Sequence, residues 1–238
     1  HQRHDDRDGH DHQRKRFDEE AQHDVDADHH QDQPHGRQAK PGQEILQLAV
    51  KAPSWGNTQP WELALVTGDQ RNALCNAFVE LVSGGTKMQP DFNMPERFAG
   101  VYADRYREVG KTLFEIVGIG REDKQARINH ALNMFKAFDA PVLVYILLDR
   151  SLDTDYALYD AGALANNICL LAASRGLGTC QLAALAQYPD TIRQHLGLPA
   201  EKRVAIGIAL GYPDEDAAYN KLRTSRADLE ENVQWIGF

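Results

Sequence analysis

The chain has 238 residues, enough for one α/β or α+β domain with a substantial core. Its formal net charge of −9 argues against binding to nucleic acid or to an anionic membrane, since either partner needs a basic surface. The three cysteines, Cys75, Cys169 and Cys180, lie far apart without a C-x-x-C pair. This spacing argues against a disulfide framework or a thiolate zinc site and favours a reducing, cytoplasmic compartment.

The hydrophobicity pattern gives no sign of a membrane span or a secretory signal. The longest apolar stretch, residues 161–178, is interrupted by Asn166, Asn167 and Arg175, which a lipid-facing helix tolerates only at high cost. The first residues are charged and contain no apolar segment. We therefore expect a soluble, cytoplasmic protein.

The first forty residues differ in composition from the rest of the chain. They contain eight of the ten histidines and nine aspartates, with almost no large apolar side chains. Burial of so little apolar surface does not offset the entropy of ordering. Residues 1–40 are thus predicted to be a polar arm that is disordered, loosely attached or altered, as a tag would be. Metal binding by His10, His12, His29 and His30 is the alternative.

Residues 41–238 are predicted to form the folded domain. Its first helix spans about residues 42–52, because apolar side chains recur there at helical spacing until Pro53 ends the pattern. Residues 53–61 are rich in turn-forming types. The elements predicted next are a strand at 62–67, a helix at 71–82, an extended segment at 90–98, and helices at about 100–117 and 122–138.

The second half of this domain contains the clearest strand and the most apolar helix. Residues 142–148 are a continuous β-branched and apolar run, which predicts a strand covered on both faces. Residues 156–175 are small and apolar nearly all round, which predicts a completely buried helix. A further strand is predicted at 203–210. The polar tail, residues 214–238, closes on apolar side chains and is expected to dock onto another surface such as a second subunit.

These elements predict an α+β fold with a sheet flanked by helices, dimerising through long helices. The common catalytic motifs are absent from the sequence: no G-x-G-x-x-G follows a strand, and there is no P-loop, H-E-x-x-H or G-x-S-x-G. Outside the arm, only His130 and His195 remain, each in a polar helical context that predicts exposure. So few candidate nucleophiles and bases indicate that a cofactor performs the chemistry.

Four sequence blocks occur in the order and spacing of one enzyme family. They are APSWGNTQPW at 52–61, AP at 140–141, GLGTC at 176–180, and GY at 211–212 followed by NKLRTSR at 220–226. From residue 43 to 238 the chain resembles the FMN-dependent nitroreductase family, in particular its nitrobenzoate- and nitrobenzene-reducing subgroup. The resemblance implies a central mixed sheet flanked by helices, an intertwined homodimer, bound FMN, and NAD(P)H as electron donor.

The resemblance also implies roles for residues near the flavin ring. The family segment that matches Pro53, Ser54 and Asn57 approaches the flavin from the opposite subunit, so the site is complete only in the dimer. Asn133 and Lys136 match positions at the pyrimidine edge, where an ammonium group favours the anionic reduced ring. The alternatives are a turn in which Ser54 and Asn57 bond their own backbone, and an ordinary solvated helix face.

Two further groups match positions around flavin N5 and the ribityl phosphate. Backbone amides of Ala183, Ala184 and Leu185 are expected near N5, although a buried strand-to-helix turn is the alternative. Arg226 and Arg223 match basic positions that hold the phosphate, and a guanidinium suits a two-pronged grip on a dianion. Surface charge is the alternative for both arginines.

The sequence departs from the family at one phosphate-binding motif. The family begins with R-x-S-x-R about twenty-five residues before the first block, but residues 26–33 contain neither arginine nor serine. Either the arm folds back in an unconventional way or FMN binding is weakened. Loss of charge-assisted hydrogen bonds, each worth about 1.5–3 kcal/mol, would lower FMN occupancy strongly.

The implied reaction is a ping-pong cycle on an apolar cleft shared by both substrates. NAD(P)H gives a hydride to flavin N5 and leaves, and a nitroaromatic or quinone-like acceptor takes its place. Four aromatic residues are candidates for the cleft wall, with a place in the core as the alternative: Trp55, Tyr102, Tyr106 and Phe98. Arg105 and Arg107 are candidates for attracting an acidic acceptor, with a charged helix face as the alternative.

Two other functions remain open from the sequence. One keeps the fold but changes the reaction to flavin-dependent dehalogenation, flavin destruction or enoate reduction. The other is a non-catalytic protein that binds flavin, or binds metal through its arm.

Overall fold

A four-stranded sheet lies at the centre of the part of the chain that the computed structural model describes, residues 42–238. Its strands are β1 (Trp61–Thr67), β2 (Val142–Asp149), β3 (Gly178–Leu182) and β4 (Lys202–Gly211), in the spatial order β1-β2-β4-β3. The α+β class is confirmed. Every pairing between the described strands is antiparallel, so the sheet within this region is not the mixed sheet that was expected. The predictions for residues 1–40 lie outside the described residues.

Seven helices accompany the sheet within residues 42–238. They are α1 (Gln43–Ala49), α2 (Gly68–Ser83), α3 (Gly100–Ile116), α4 (Lys124–Phe135), α5 (Thr154–Ala173), α6 (Pro189–Leu196) and α7 (Leu229–Asn232). All but the short α6 and α7 were predicted, with boundaries within a few residues. Short 3₁₀ turns occur at Trp55–Asn57, Ala137–Asp139, Ala183–Ala186 and Ala218–Lys221.

Several helix boundaries have local causes in the sequence. The side chain of Asp123 accepts a hydrogen bond from the N–H of Ala126 at 2.9 Å and so caps the start of α4. Asp153 caps α5 in the same way through the N–H of Asp155. Helix α6 begins at Pro189, whose missing N–H costs nothing in the first turn.

Strand β2 separates two hydrophobic layers, as its continuous apolar sequence predicted. Leu143, Tyr145 and Leu147 pack on one face, together with buried residues of α2, α6 and the Ala183–Ala186 turn. Val144, Ile146 and Leu148 pack on the other face against α1 and α5. The sheet therefore forms the middle layer of three, with different helices fixed to each face.

Helix α5 is only half buried within one chain. The prediction that it is completely buried was therefore wrong for the single chain. Buried side chains such as Leu164 and Ile168 face the sheet. The opposite side presents Tyr159, which is 75% exposed, and Leu170, which is 61% exposed. Gly162 and Asn166 lie between them on the same exposed stripe. A monomer thus leaves an apolar face of its most hydrophobic helix in water.

Two glycines of β4 allow neighbouring segments to approach the sheet closely. A Cβ added at Gly207 would lie 2.6 Å from Cβ of Leu185 and 3.1 Å from Cε1 of Tyr145. A Cβ at Gly211 would lie 2.6 Å from Cδ of Pro141. Because these positions have no side chains, the Ala183–Ala186 turn and the residues that precede β2 pack directly on β4.

None of the helices within residues 42–238 is both long and apolar enough to cross a membrane.

We predict that Gly207→Ala lowers the free energy of unfolding by about 1–3 kcal/mol. The new methyl group would overlap Cβ of Leu185, which is fixed to the backbone and cannot move aside as the end of a flexible side chain can. Gly110→Ala in α3 is the matched control: no atom lies within 4 Å of the added Cβ, and alanine favours the helix by about 0.5–1 kcal/mol. Urea unfolding of both variants measures the difference. Equal stability of Gly207→Ala and the wild type would contradict the close approach.

Candidate functional site

The loop that follows α1 is internally hydrogen-bonded and mostly exposed. Ser54 Oγ accepts the N–H of Gln59 at 2.9 Å, and Gln59 Nε2 donates to Asn57 Oδ1 at 3.3 Å. Asn57 has a positive φ of 57°, a conformation that asparagine tolerates better than most residues. Pro53 and Asn57 are exposed and Ser54 is partly buried. The loop therefore uses Ser54 to hold its own shape while presenting its tip to the outside.

A buried carboxylate that the sequence reasoning missed fastens this loop to α5. Asp160 is only 4% exposed, and its Oδ2 accepts the N–H of Trp55 at 3.0 Å. Trp55 also packs edge-on against Tyr156 of the same helix, with ring centroids 4.5 Å apart. The available signal was an acidic residue inside an otherwise apolar helix. Its effect is to fix the loop on the α5 face of the sheet.

The segment after α4 adopts a left-handed turn without any glycine. Ala137, Phe138 and Asp139 have φ values of 54°, 51° and 58°. Each such non-glycine residue costs roughly 1–2 kcal/mol, so the surrounding structure must stabilise the turn. Ala137 is fully buried, and the backbone N–H of Ala140 donates to the Ala137 carbonyl at 3.0 Å.

A buried arginine supports this turn from α2. Arg71, which is 9% exposed, donates from Nη2 to the carbonyl oxygen of Lys136 at 2.5 Å. Its other terminal nitrogen donates to Asn72. Because the carbonyl belongs to the last residue before the turn, the guanidinium fixes where α4 ends. The side chain of Lys136 is exposed there, and Asn133 is partly buried one turn earlier.

An aromatic cluster joins α4 to the C-terminal segment. His130 Nδ1 lies 3.0 Å from the hydroxyl of Tyr219, and the two rings stack with centroids 5.6 Å apart. Tyr219 also contacts Phe138 of the left-handed turn, at 5.4 Å between centroids. The predicted exposure of His130 was wrong: its ring packs edge-on against Phe114 as well, and burial lowers the pKa of His130.

The 3₁₀ turn Ala183–Ala186 follows β3 and packs against both β4 and α4. Ala183 is exposed, whereas Ala184 and Leu185 are buried. The structure therefore brings the segment with Ala183 next to the helix that carries Asn133 and Lys136. The alternative interpretation, a buried strand-to-helix turn, holds for Ala184 and Leu185 but not for Ala183.

Arg223 and Arg226 line a cavity of about 550 Å³ between α3 and the C-terminal segment. Arg223 donates to the carbonyls of Asn220 and Leu222, and Arg226 donates to Thr224 Oγ1 and the Ser225 carbonyl. These partners are neutral and local, so both guanidinium charges remain available to an anion. The arginines lie four and seven residues after Tyr219, so the aromatic cluster holds the start of the segment from which they project.

The proposed aromatic wall is divided between two places. Tyr102 and Tyr106 of α3 are 66% and 65% exposed, and Phe98 lies 5.2 Å from Tyr106 between ring centroids. Trp55, which is 63% exposed, packs with α5 instead. Arg105 lines the cavity, whereas Arg107 pairs with Asp104 on the exposed helix face.

The predicted site residues thus fall into two groups on opposite faces of the sheet. Ala52, just before the Ser54–Asn57 loop, belongs to the core layer formed with α1 and α5. Ala137 and Ala184 belong to the layer on the other face. The sheet and its packed side chains, roughly 10 Å per layer, separate the groups within one chain. Among residues 42–238, no three His, Cys, Asp or Glu side chains are placed to hold a metal ion.

Comparison with known proteins agrees with the fold and with the motif blocks. The model of the nitroreductase family matches residues 42–212. Chloronitrobenzene nitroreductase of Comamonas testosteroni is 33% identical over 197 residues, which cover 82% of this chain and 86% of that protein. The 4-nitrobenzoate reductase of Pseudomonas putida is 31% identical over 195 residues, covering 82% and 85%.

A solved structure matches along almost its whole length. The FMN and NADPH-dependent nitroreductase NfnB from Sphigopyxis sp. strain HMH superposes with a TM-score of 0.79 at 31% identity, covering 87% of this chain and 93% of that one. NfnB from Mycobacterium smegmatis, solved in complex with NADPH, gives a TM-score of 0.79 at 28% identity, covering 86% and 91%.

Replacement of Arg71 tests whether it supports the left-handed turn. We expect Arg71→Met to lower the free energy of unfolding by about 1.5–3 kcal/mol, because a charge-assisted hydrogen bond to the Lys136 carbonyl is lost while most of the side-chain volume is kept. Arg121→Met, at an exposed position before α4, is the control and should change stability by less than about 0.5 kcal/mol. Chemical denaturation followed by circular dichroism gives both values, and equal effects would contradict the role of Arg71.

Proposed function

Because this chain belongs to the nitroreductase family, we propose that it is an FMN-dependent NAD(P)H oxidoreductase that reduces nitroaromatic or quinone-like acceptors. The main support for the proposal is the position of α4 between the segments that are expected to contact FMN. This helix packs against the Ala183–Ala186 turn, and its His130 contacts Tyr219, which precedes Arg223 and Arg226. The segments expected at the ring edge, at N5 and at the phosphate are therefore held together by one helix.

The residues present suit the parts of FMN. The cavity beside Arg223 and Arg226 supplies guanidinium groups together with the hydroxyls of Thr224 and Ser225, a donor set that fits a phosphate dianion. The small side chain of Ala183, at the exposed start of its turn, leaves room for a flat ring. The chemistry that bound FMN would supply is hydride transfer from NAD(P)H to the acceptor.

The chain's own residues bind and orient the cofactor. In this proposal Asn133 and the Lys136 ammonium meet the polar edge of the ring, where a positive charge stabilises negative charge that develops on reduction. The left-handed turn and Arg71 keep Lys136 at the end of α4. Backbone amides of Ala183, Ala184 and Leu185 approach N5.

The donor and the acceptor use one open face in turn, which gives ping-pong kinetics. Exposed aromatics on α3, Tyr102 and Tyr106, and Trp55 from the loop after α1 are proposed to form its wall. Relatives named for chloronitrobenzene, 4-nitrobenzoate and nitrobenzene reduction support small nitroaromatics as acceptors. The named solved relatives that depend on NADPH support NAD(P)H as donor.

The working form is proposed to be a homodimer. Within one chain the sheet separates the loop with Pro53, Ser54 and Asn57 from the residues on α4. A second copy completes the site if the loop of each subunit reaches the flavin that the other subunit binds. The exposed stripe of α5 and the C-terminal residues Trp235 and Ile236, which are 61% and 82% exposed, supply apolar surface for the association.

Free thiols support the further proposal of a reducing, cytoplasmic setting. Within residues 42–238, Cys75, Cys169 and Cys180 are all unpaired.

Anaerobic reduction is the direct test of the reaction. The protein reconstituted with FMN should lose its visible flavin absorbance when NADPH or NADH is added, and 4-nitrobenzoate should restore it. A protein that binds FMN but is not bleached by either nucleotide would contradict the oxidoreductase proposal and favour a non-catalytic flavin protein. Bleaching that only a halogenated aromatic or an enoate reverses would favour one of the other flavin reactions.

The dimer is tested by placing a charge on the exposed face of α5. Leu170→Arg should yield a monomer in light scattering and retain less FMN after gel filtration, since burial of an unpaired charge in an apolar interface is unfavourable. Met88→Arg, at another exposed apolar position outside this stripe, should remain dimeric with full FMN. A Leu170→Arg variant that stays dimeric and keeps its FMN would place the interface elsewhere.

A further inference from the structure

We propose that Arg105 is a third phosphate-binding arginine, which acts with Arg223 and Arg226 on the ribityl phosphate of FMN. This inference rests on the proposed function, because it assigns a residue to the phosphate of that cofactor. It adds α3 to a site whose other basic residues come from the C-terminal segment. None of the four family-like sequence blocks contains Arg105.

The cavity is lined by arginines from two separate elements. Within residues 42–238, three arginines line it: Arg223 and Arg226 from the C-terminal segment, and Arg105 from the facing helix α3. Glu108 and Thr112 also line the cavity, so positions 105, 108 and 112 form one face of α3 at helical spacing. An anion in this cavity is therefore approached by guanidinium groups from two separate elements.

The guanidinium group of Arg105 forms only a weak ion pair. Its Nη2 lies 3.6 Å from a carboxylate oxygen of Glu231, and the side chains are 44% and 60% exposed. A long, solvated ion pair of this kind contributes about 0–1 kcal/mol. A phosphate dianion between three arginines offers a stronger partner, so Arg105 can exchange Glu231 for the phosphate at little cost.

Among the residues that the structure describes, Glu108 is the one acidic side chain in the cavity lining, and its charge opposes an anion there. Its Oε1 lies 3.5 Å from Ser225 Oγ, a long contact that leaves the carboxylate charge in place. Three positive charges against one negative leave the lining net positive. Arg105 and Glu108 should therefore act on phosphate affinity with opposite signs, which a purely structural role of this helix face does not predict.

The inference also accounts for a gap in the sequence. Residues 26–33, where the R-x-S-x-R motif is expected, contain neither arginine nor serine. Among residues 42–238, Arg223 and Arg226 are the two phosphate-binding arginines that the family-like blocks contain. Arg105 supplies a third from a distant part of the chain.

The experiment compares FMN with riboflavin, which is the same ring without the phosphate. The full-length apoprotein is titrated with each flavin, and binding is followed by flavin fluorescence. Arg105→Gln should raise the Kd for FMN at least about fivefold, as expected of a partly screened charge-assisted contact, while the Kd for riboflavin stays unchanged. Glu108→Gln should lower the Kd for FMN and leave riboflavin unchanged.

Arg107→Gln is the matched control on the same helix. Arg107 pairs with Asp104 on the exposed face and is not part of the cavity lining, so its replacement should leave the Kd for FMN within about twofold. Arg105→Gln that weakens FMN and riboflavin equally, or that leaves FMN binding unchanged, overturns the assignment of Arg105. Wild-type protein that binds neither flavin overturns the proposed function and this inference with it, so the two failures are distinguishable.

Discussion

The hydrogen bond from Arg71 to the Lys136 carbonyl is the interaction on which most of the candidate site depends. It stabilises the end of α4 at the point where three successive non-glycine residues take left-handed backbone conformations. Such a turn is unfavourable by several kcal/mol in isolation, at roughly 1–2 kcal/mol for each residue. It persists because Ala137 is buried beneath it and the guanidinium binds the carbonyl that precedes it. This support holds Lys136 at the end of α4 and Phe138 within the turn that follows.

From this turn the contacts extend to the rest of the site on that face of the sheet. Phe138 packs on Tyr219, and Tyr219 meets His130 of α4, which fixes the start of the segment that carries Arg223 and Arg226. The same helix packs against the Ala183–Ala186 turn, which rests on β4 because Gly207 has no side chain. The loop with Ser54 and Asn57 is instead tied to α5 through Asp160, on the opposite face. In the proposed dimer, a second chain brings these two groups of residues together at each flavin.

Much of the fold was predictable because it follows from local patterns. The apolar run of β2 and the helical spacing of apolar residues in α1 identified these elements, and the turn-forming residues from Pro53 onward marked the end of the first helix. Strand β3 was missed because Gly178–Leu182 contains no β-branched run, and it pairs only through contact with β4. The antiparallel pairing of the sheet was also missed, since strand direction depends on contacts between distant residues.

The site residues were predicted from family-like motifs, and their supporting contacts were not. Nothing in the sequence marks Ala137 or Phe138 as left-handed, because neither is a residue type that prefers that conformation. Arg71 was identified only as the start of the helix predicted at 71–82, and His130 was expected to be exposed. Their roles arise from partners 65 and 89 residues away, which local periodicity does not reveal. Asp160 carried a weak signal, as an acid inside an apolar helix.

Hydrogen–deuterium exchange of the protein with and without FMN tests whether the left-handed turn organises the flavin site, because it reports on every segment at once. If it does, exchange slows on FMN binding in four separate stretches: the Trp55–Asn57 turn, the end of α4 with the Ala137–Asp139 turn, the Ala183–Ala186 turn, and residues 222–226. Protection confined to other parts of residues 42–238, or absent from the end of α4, would show that the left-handed turn does not organise the flavin site.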